Sequence, residues 1–134
     1  MLFVFDTNVL VSACLKPLNI PALALNHAQE IGQIVFTDVT LSELKEVISR
    51  PFIEKYLTKN QSKYRLQQIV ENALIVEYLP ILGVDCRDEK DIKFLEVAIS
   101  SKVKCVVSGD KDLLILHPFR GIPILNAADF LKSF

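Results

Sequence analysis

Apolar and polar positions along the chain follow two alternating periods. Leu2-Phe3-Val4-Phe5 is continuously apolar and ends at Asp6. A short unbroken run of this kind fits a strand buried on both faces, as in a parallel sheet. Residues 8–15 read as a short helix stopped by Lys16-Pro17. Pro21 stands in the first turn of the next helix, where its missing N–H is tolerated. Leu23, Ala24, His27 and Ile31 form the face of that helix, which ends at Gly32. Residues 33–36 make a second strand. Residues 40–50 are predicted helical, with Leu41, Leu44, Val47 and Ile48 at core-facing spacing. Pro51 opens a further helical piece to residue 57, and residues 61–72 form a helix carrying most of the exposed charge. Residues 73–79 are either a strand or the end of that helix. Residues 88–101 read as a helix with Phe94, Leu95, Ala98 and Ile99 on one face. Residues 105–108 form a strand that meets Gly109-Asp110. A short helix over 111–116, a strand over 123–125 and a final helix over 127–133, capped by Asn126, complete the pattern.

Strands alternate with helices throughout, which predicts an α/β fold: an α/β/α sandwich around a mainly parallel central sheet. The 134 residues match one domain of roughly 100–200 residues, so residues 1–134 are expected to be a single domain. A hydrophobic content of 51% and a mean hydropathy of +0.34 exclude a chain that stays disordered for lack of burial. Lys and Arg total 15 against 16 for Asp and Glu, a formal net charge of −1. That excludes a protein held on nucleic acid by bulk charge and leaves a local basic groove open. No apolar run approaches the ~20 residues needed to span a bilayer. Met1 leads straight into the apolar run, with no basic leader and no cleavage site, so no signal peptide is expected and the cytoplasm is the predicted location. Cys14, Cys86 and Cys105 are scattered and odd in number. They read as small buried hydrophobes rather than a disulfide framework or a zinc site.

The acids carry the candidate chemistry. In open parallel sheets ligands bind beyond the carboxyl ends of the strands. Asp6 lies at the end of the first strand and Asp110 just past the strand over 105–108. Each is either a helix N-cap or a functional carboxylate. Glu43 borders the apolar stripe of its helix, and Thr40-x-x-Glu43 also reads as a capping box. Asp91 precedes Phe94 and Leu95 by three and four residues, so it faces the core side of its helix at the first turn. A carboxylate there is costly without a cation or donors. The alternative makes Asp88 the N-cap and Asp91 a first-turn acid favoured by the helix dipole. Asp85 and Glu89 read as solvated acids. If Asp6, Glu43, Asp91 and Asp110 converge with no Lys or Arg among them, mutual repulsion raises their pKa values. Mg²⁺ or Mn²⁺ suits such an all-oxygen set and can activate water for phosphodiester cleavage. His27 and His117 are assigned to structure or surface. No Ser/His/Asp triad, P-loop or Gly-x-Gly-x-x-Gly motif is present.

Four stretches resemble the PIN-domain family, in particular its small stand-alone members that act as toxins of toxin–antitoxin pairs. They are Val4-Phe5-Asp6-Thr7-Asn8-Val9-Leu10, Thr40-Leu41-Ser42-Glu43-Leu44, Asp91-Ile92-Lys93-Phe94-Leu95-Glu96-Val97-Ala98, and Val107-Ser108-Gly109-Asp110-Lys111-Asp112-Leu113-Leu114. Each is common alone; the ordered set, spread over nearly the whole chain, is more specific. The resemblance implies a metal-dependent ribonuclease in which Asp6, Glu43, Asp91 and Asp110 bind Mg²⁺ or Mn²⁺ and a metal-activated water attacks RNA. It assigns Asn8 and Ser108 to support of the carboxylates. Lys111 becomes either a phosphate contact or a solvated lysine, and Asp112 either an outer helper or a helix cap. It further implies a small antitoxin partner and a homodimer.

Two other readings compete. Asp6-Thr7-Asn8 and Gly109-Asp110-Lys111-Asp112 also resemble haloacid-dehalogenase-type phosphatases, in which the strand-end Asp is a covalent nucleophile. Asn8 stands where that family requires a second acid, and the chain has no room for a cap domain. A non-catalytic RNA- or partner-binding module is the other. Lys55, Lys59, Lys63 and Arg65 would give it a basic strip or are simply the wet side of two helices. Tyr56 and Tyr64 are too few to form a stacking platform along it.

Overall fold

A computed structural model describes residues 1–80 and 91–134. Asp85, Cys86, Asp88 and Glu89, with the expected cap at Asp88, lie outside the described residues. Five strands, β1 (Leu2–Phe5), β2 (Gln33–Phe36), β3 (Leu74–Ile75), β4 (Cys105–Val107) and β5 (Ile124–Leu125), form one sheet. Their order is β3-β2-β1-β4-β5, and every pairing is parallel.

The unbroken apolar runs explain the layers. Side chains alternate across a strand, so Phe3 and Phe5 enter one core while Val4 enters the other. Ile34 and Phe36 divide from Val35 in the same way, and Cys105 and Val107 from Val106. Helices α1 (Thr7–Leu15), α2 (Ile20–Ile31), α3 (Asp38–Ile48), α4 (Lys59–Glu71) and α7 (Ala127–Ser133) contribute to the first core. Helices α5 (Ile92–Ser100) and α6 (Lys111–Leu114) contribute to the second. The architecture is the expected α/β sandwich.

Local chemistry sets the element ends. Helix α3 begins two residues before the expected start because Thr37 is its N-cap. The Thr40 amide donates to Thr37 Oγ1 at 3.2 Å and the Thr37 amide to Thr40 Oγ1 at 3.0 Å. This reciprocal box replaces the expected Thr40–Glu43 box. Residues Pro51–Lys55 form a 3₁₀ turn rather than a longer helical piece. The ambiguous stretch over 73–79 contains a strand, because Leu74 and Ile75 pair with Val35 and Phe36.

Helix α7 is pinned beneath β1 by rings. Phe130 packs edge-on against Phe3 and Phe5, with centroids 5.3 and 5.7 Å apart, and His27 meets Phe130 at 6.1 Å. His27 thus packs among core aromatics. His117 accepts a hydrogen bond from the Ile124 amide at its Nδ1, 2.9 Å away. Cys14 and Cys105 are buried free thiols, and burial pushes them up to about 11 and about 12. Both are therefore protonated, in keeping with their reading as hydrophobes. Among the described residues no single helix is long and apolar enough to cross a membrane.

Gly32 closes α2 and meets the start of β1. Its φ of −177° is open to any residue, so space is the constraint. An added Cβ would lie 2.0 Å from the Met1 carbonyl oxygen, which also accepts from the Gln33 amide at 2.9 Å. Gly32→Ala must push this backbone apart. A loss of about 1–3 kcal/mol is expected, as for other overpacked sites, measured by chemical denaturation at unchanged slope.

Candidate active site

Parallel pairing delivers the ends of β1 and β4 to the same edge of the sheet. The Asp6 amide donates to the Val107 carbonyl at 2.9 Å, which brings Asp6 beside Ser108. Ser108 is fully buried. Its Oγ donates to Asp6 Oδ2 at 2.7 Å and accepts from the Asp110 amide at 3.0 Å. Asp6 Oδ1 accepts from the Asn8 amide at 3.2 Å and starts α1. Asp110 Oδ1 accepts from the Asp112 amide at 2.8 Å and starts α6. Each of these acids therefore caps a helix and also lines the cavity at this edge. Capping does not exclude a further role, because a carboxylate has about four lone-pair sites.

A cavity of about 390 Å³ opens at this edge, lined by Asp6, Asn8, Glu43, Glu46, Val47, Arg50, Asp91, Lys93 and Asp110. All four predicted acids line it. Glu43 arrives on α3, and with the helix capped by Thr37 and Thr40 its carboxylate is not used as a cap. Asp91 stands at the start of α5, is 6% exposed, and makes no capping hydrogen bond through its side chain. Asn8 contributes its amide to Asp6 and lines the same cavity. A second cavity, also about 390 Å³, shares Asp6, Asn8 and Asp110 and continues along Val9, Ser12, Pro21 and Ala127. Lys111, which is exposed, and Asp112 line neither of these two cavities.

The expectation that no Lys or Arg stands among the carboxylates is corrected. Lys93 Nζ lies 2.5 Å from Glu43 Oε2, in a pair whose side chains are only 15% and 31% exposed. Arg50 lines the same wall and grips Glu46 through two hydrogen bonds, 3.1 and 2.7 Å. Arg50 was legible in principle: Glu43, Glu46, Val47 and Arg50 follow helical spacing along one face. Lys93 was not, because its partner is fifty residues away in sequence and is reached by a long flexible stem. Glu96 also escaped the sequence reading. It is 3% exposed on α5 and accepts from the Tyr78 hydroxyl at 2.6 Å, which ties the segment after β3 to that helix.

Burial is the main cause that lifts the Asp6 carboxyl above its ordinary value. The hydrogen bonds from Ser108 and Asn8 oppose it, and the nearby Asp110 and Glu43 charges add to it. The donor set therefore fits a hard divalent cation: oxygen ligands of one charge, one of them destabilised as a bare anion. The Lys93 ammonium already supplies a positive charge on one of the four. Among the described residues no three such side chains stand together as a ready-made coordination cluster.

A family model described as PIN domain matches residues 3–112. The chain belongs to the PIN-domain family. It is 35% identical over 118 residues to an uncharacterized protein of Methanocaldococcus jannaschii, covering 85% of this chain and 74% of that one. Its fold is similar to VapBC2 from Rickettsia felis, solved bound to a DNA fragment from their promoter. The TM-score is 0.66 at 16% identity, over 94% of this chain and 98% of that chain. It is also similar to PAE2754 from Pyrobaculum aerophilum, with a TM-score of 0.60 at 16% identity, over 97% of this chain and 87% of that chain.

The electrostatics of this PIN domain make a prediction about stability. A folded Asp6 that binds its proton more tightly than the unfolded chain favours folding at low pH, and that contribution is lost as pH rises through the folded value. Asp6→Asn removes the loss. In chelator, the variant is expected to melt like the wild type well below pH 3.8, the ordinary value for this carboxyl. Its advantage then grows as pH rises toward neutrality. Thermal melts across pH measure it, and an advantage that is constant with pH would contradict the cause given.

Proposed function

We propose that this PIN domain is an endoribonuclease that uses Mg²⁺ or Mn²⁺ to hydrolyse RNA phosphodiester bonds. The observation that carries the reading is the convergence of Asp6, Glu43, Asp91 and Asp110 on one cavity at the carboxyl edge of the sheet. These four would hold the cation. Bound there, Mg²⁺ or Mn²⁺ would supply an activated water for the attack and charge stabilisation on the departing oxygen. Ser108 holds Asp6 in one orientation through its 2.7 Å bond, and the Asn8 amide fixes the other oxygen. Lys93 anchors Glu43 and keeps a positive charge beside the cavity. Lys111, exposed just past Asp110, is assigned a contact with substrate phosphate, and Asp112 an outer supporting role. Covalent phosphoryl transfer through Asp6 is not favoured, since Asn8 stands where the second acid is required.

The test is cleavage of single-stranded RNA by purified protein with Mn²⁺. Asp6→Asn is expected to abolish cleavage with the circular dichroism spectrum unchanged, and chelator to abolish it in the wild type. Ser108→Ala, which removes only the orienting hydroxyl, should cost about 10–100-fold in activity or metal affinity. Equal cleavage by wild type and Asp6→Asn would sink the assignment.

The Rickettsia felis neighbour is a VapBC2 assembly on promoter DNA, which supports a toxin role with a small antitoxin partner for this chain as well. We further propose a single domain over residues 1–134, a cytoplasmic location and a homodimer. Light scattering at micromolar concentration is expected to give twice the chain mass. Co-expression with the reading frame encoded next door should yield a complex that cleaves no RNA until the partner is removed.

A further inference from the structure

A third cavity, of about 420 Å³, lies between the end of α3, the 3₁₀ turn and the start of α4. Among the described residues its lining carries Lys45, Arg50, Lys59 and Lys63 against one acid, Glu54, and includes the apolar Ile53 and Leu66. Arg50 also lines the acidic cavity, so the two adjoin. The cavity that continues past Asp110 toward Ala127 shares Asp6, Asn8 and Asp110 with the acidic one, so the acidic cavity has lining residues in common with a neighbour on each side and the cations stand at one of them.

Lys59 is placed against local preference, whereas Lys45 stands in the last turn of α3, where a cation suits the dipole. Lys59 opens α4, Lys63 follows one turn later, and no acid stands in that first turn. A helix N-terminus is the positive end of its dipole, where lysines are unfavourable and anions favourable. Among the described residues, neither Lys45 nor Lys63 is in an ion pair, whereas Arg50 is held by Glu46 and Lys59 lies 3.8 Å from Glu54.

We infer that this cavity seats the sugar-phosphate backbone of the RNA strand next to the bond that is cut. The rim takes phosphate and the apolar lining takes ribose or base. Lys45 and Lys63 carry the contact, while Lys55 and Arg65 of the basic strip lie off it: neither lines this cavity, and Arg65 lines another one beside Cys14. The inference rests on the ribonuclease reading above. It adds a place for the substrate backbone beside the acidic site.

The experiment uses the full chain carrying Asp6→Asn and a labelled single-stranded RNA of roughly ten nucleotides. Fluorescence anisotropy is titrated across a series of salt concentrations. Adding Lys45→Ala and Lys63→Ala should weaken binding about tenfold or more. It should also flatten the dependence of log K on log salt by about 0.7 for each phosphate that is no longer neutralised. Lys45→Arg with Lys63→Arg should restore both. Lys104→Ala, an exposed lysine preceding β4 at the opposite edge of the sheet, should change neither. If the parent binds RNA and the double alanine variant matches it in affinity and slope, the inference is overturned and the ribonuclease reading is untouched. If the double variant loses affinity for a poly-glutamate peptide but not for RNA, the cavity belongs to an acidic protein partner and the inference is again overturned. If the parent binds no RNA and the wild type cleaves none, both fall together.

Discussion

The parallel register between β1 and β4 sets the position of everything at the active edge. Phe3, Val4 and Phe5 pair with Cys105, Val106 and Val107, and the next step brings the Asp6 amide onto the Val107 carbonyl. Residues 102 positions apart then meet in one hydrogen bond, from Ser108 to Asp6. A slip of one residue would send Phe5 into the opposite core and turn Asp6 away from the edge. The two cores are packed for different side chains, Phe3 and Phe5 in one and Val4 in the other. Such a slip would therefore cost packing on both sides, and the contacts that stabilise the sheet also place the site. The Ser108 hydroxyl completes the arrangement by donating to one acid and accepting from the amide of the other.

Like charges are gathered at this edge at a cost, and the molecule offsets it in several ways. Asp6 and Asp110 each commit one oxygen to the first amides of a helix. Glu43 is held by Lys93. Burial, with a smaller contribution from the Asp110 and Glu43 charges, still raises the affinity of Asp6 for its proton. A net charge of −1 conceals this arrangement, because it is a sum over a surface on which acids and bases are segregated. Acids meet in one cavity and lysines rim the next, with Arg50 on both walls. On the proposed ribonuclease reading, such segregation matters more than the total.

Much of the fold was legible because the signals are local. Continuous apolar runs mark doubly buried strands, and Gly32, Pro51 and Asn126 mark the ends of elements. The capping of α3 was misread because Thr37 and Thr40 compete for the role given to Glu43, and two threonines closing on each other satisfy the same amides without a carboxylate. The strand over Leu74–Ile75 could not be separated from a helix end, since two residues with exposed side chains carry no periodicity and are defined by their pairing with β2. The acids could be chosen from strand ends and helical faces. The cations that meet them could not, because Lys93 pairs across elements and the lysine-rimmed cavity is formed by three helical segments packing side by side.

The amino-acid sequence by itself therefore determined the order of strands and helices, the parallel sheet and the four acids at its carboxyl edge. These depend on period, propensity and the chemistry of chain ends, all of which act over a few residues. Tertiary structure alone decided that Ser108 orients Asp6, that Glu43 is bound by an ammonium instead of capping its helix, and that Lys45 and Lys63 share a cavity adjoining the acids. Each of these is a contact between side chains brought together by packing. Its energy depends on distance and burial in three dimensions, and neither quantity is written in the spacing of residues along the chain.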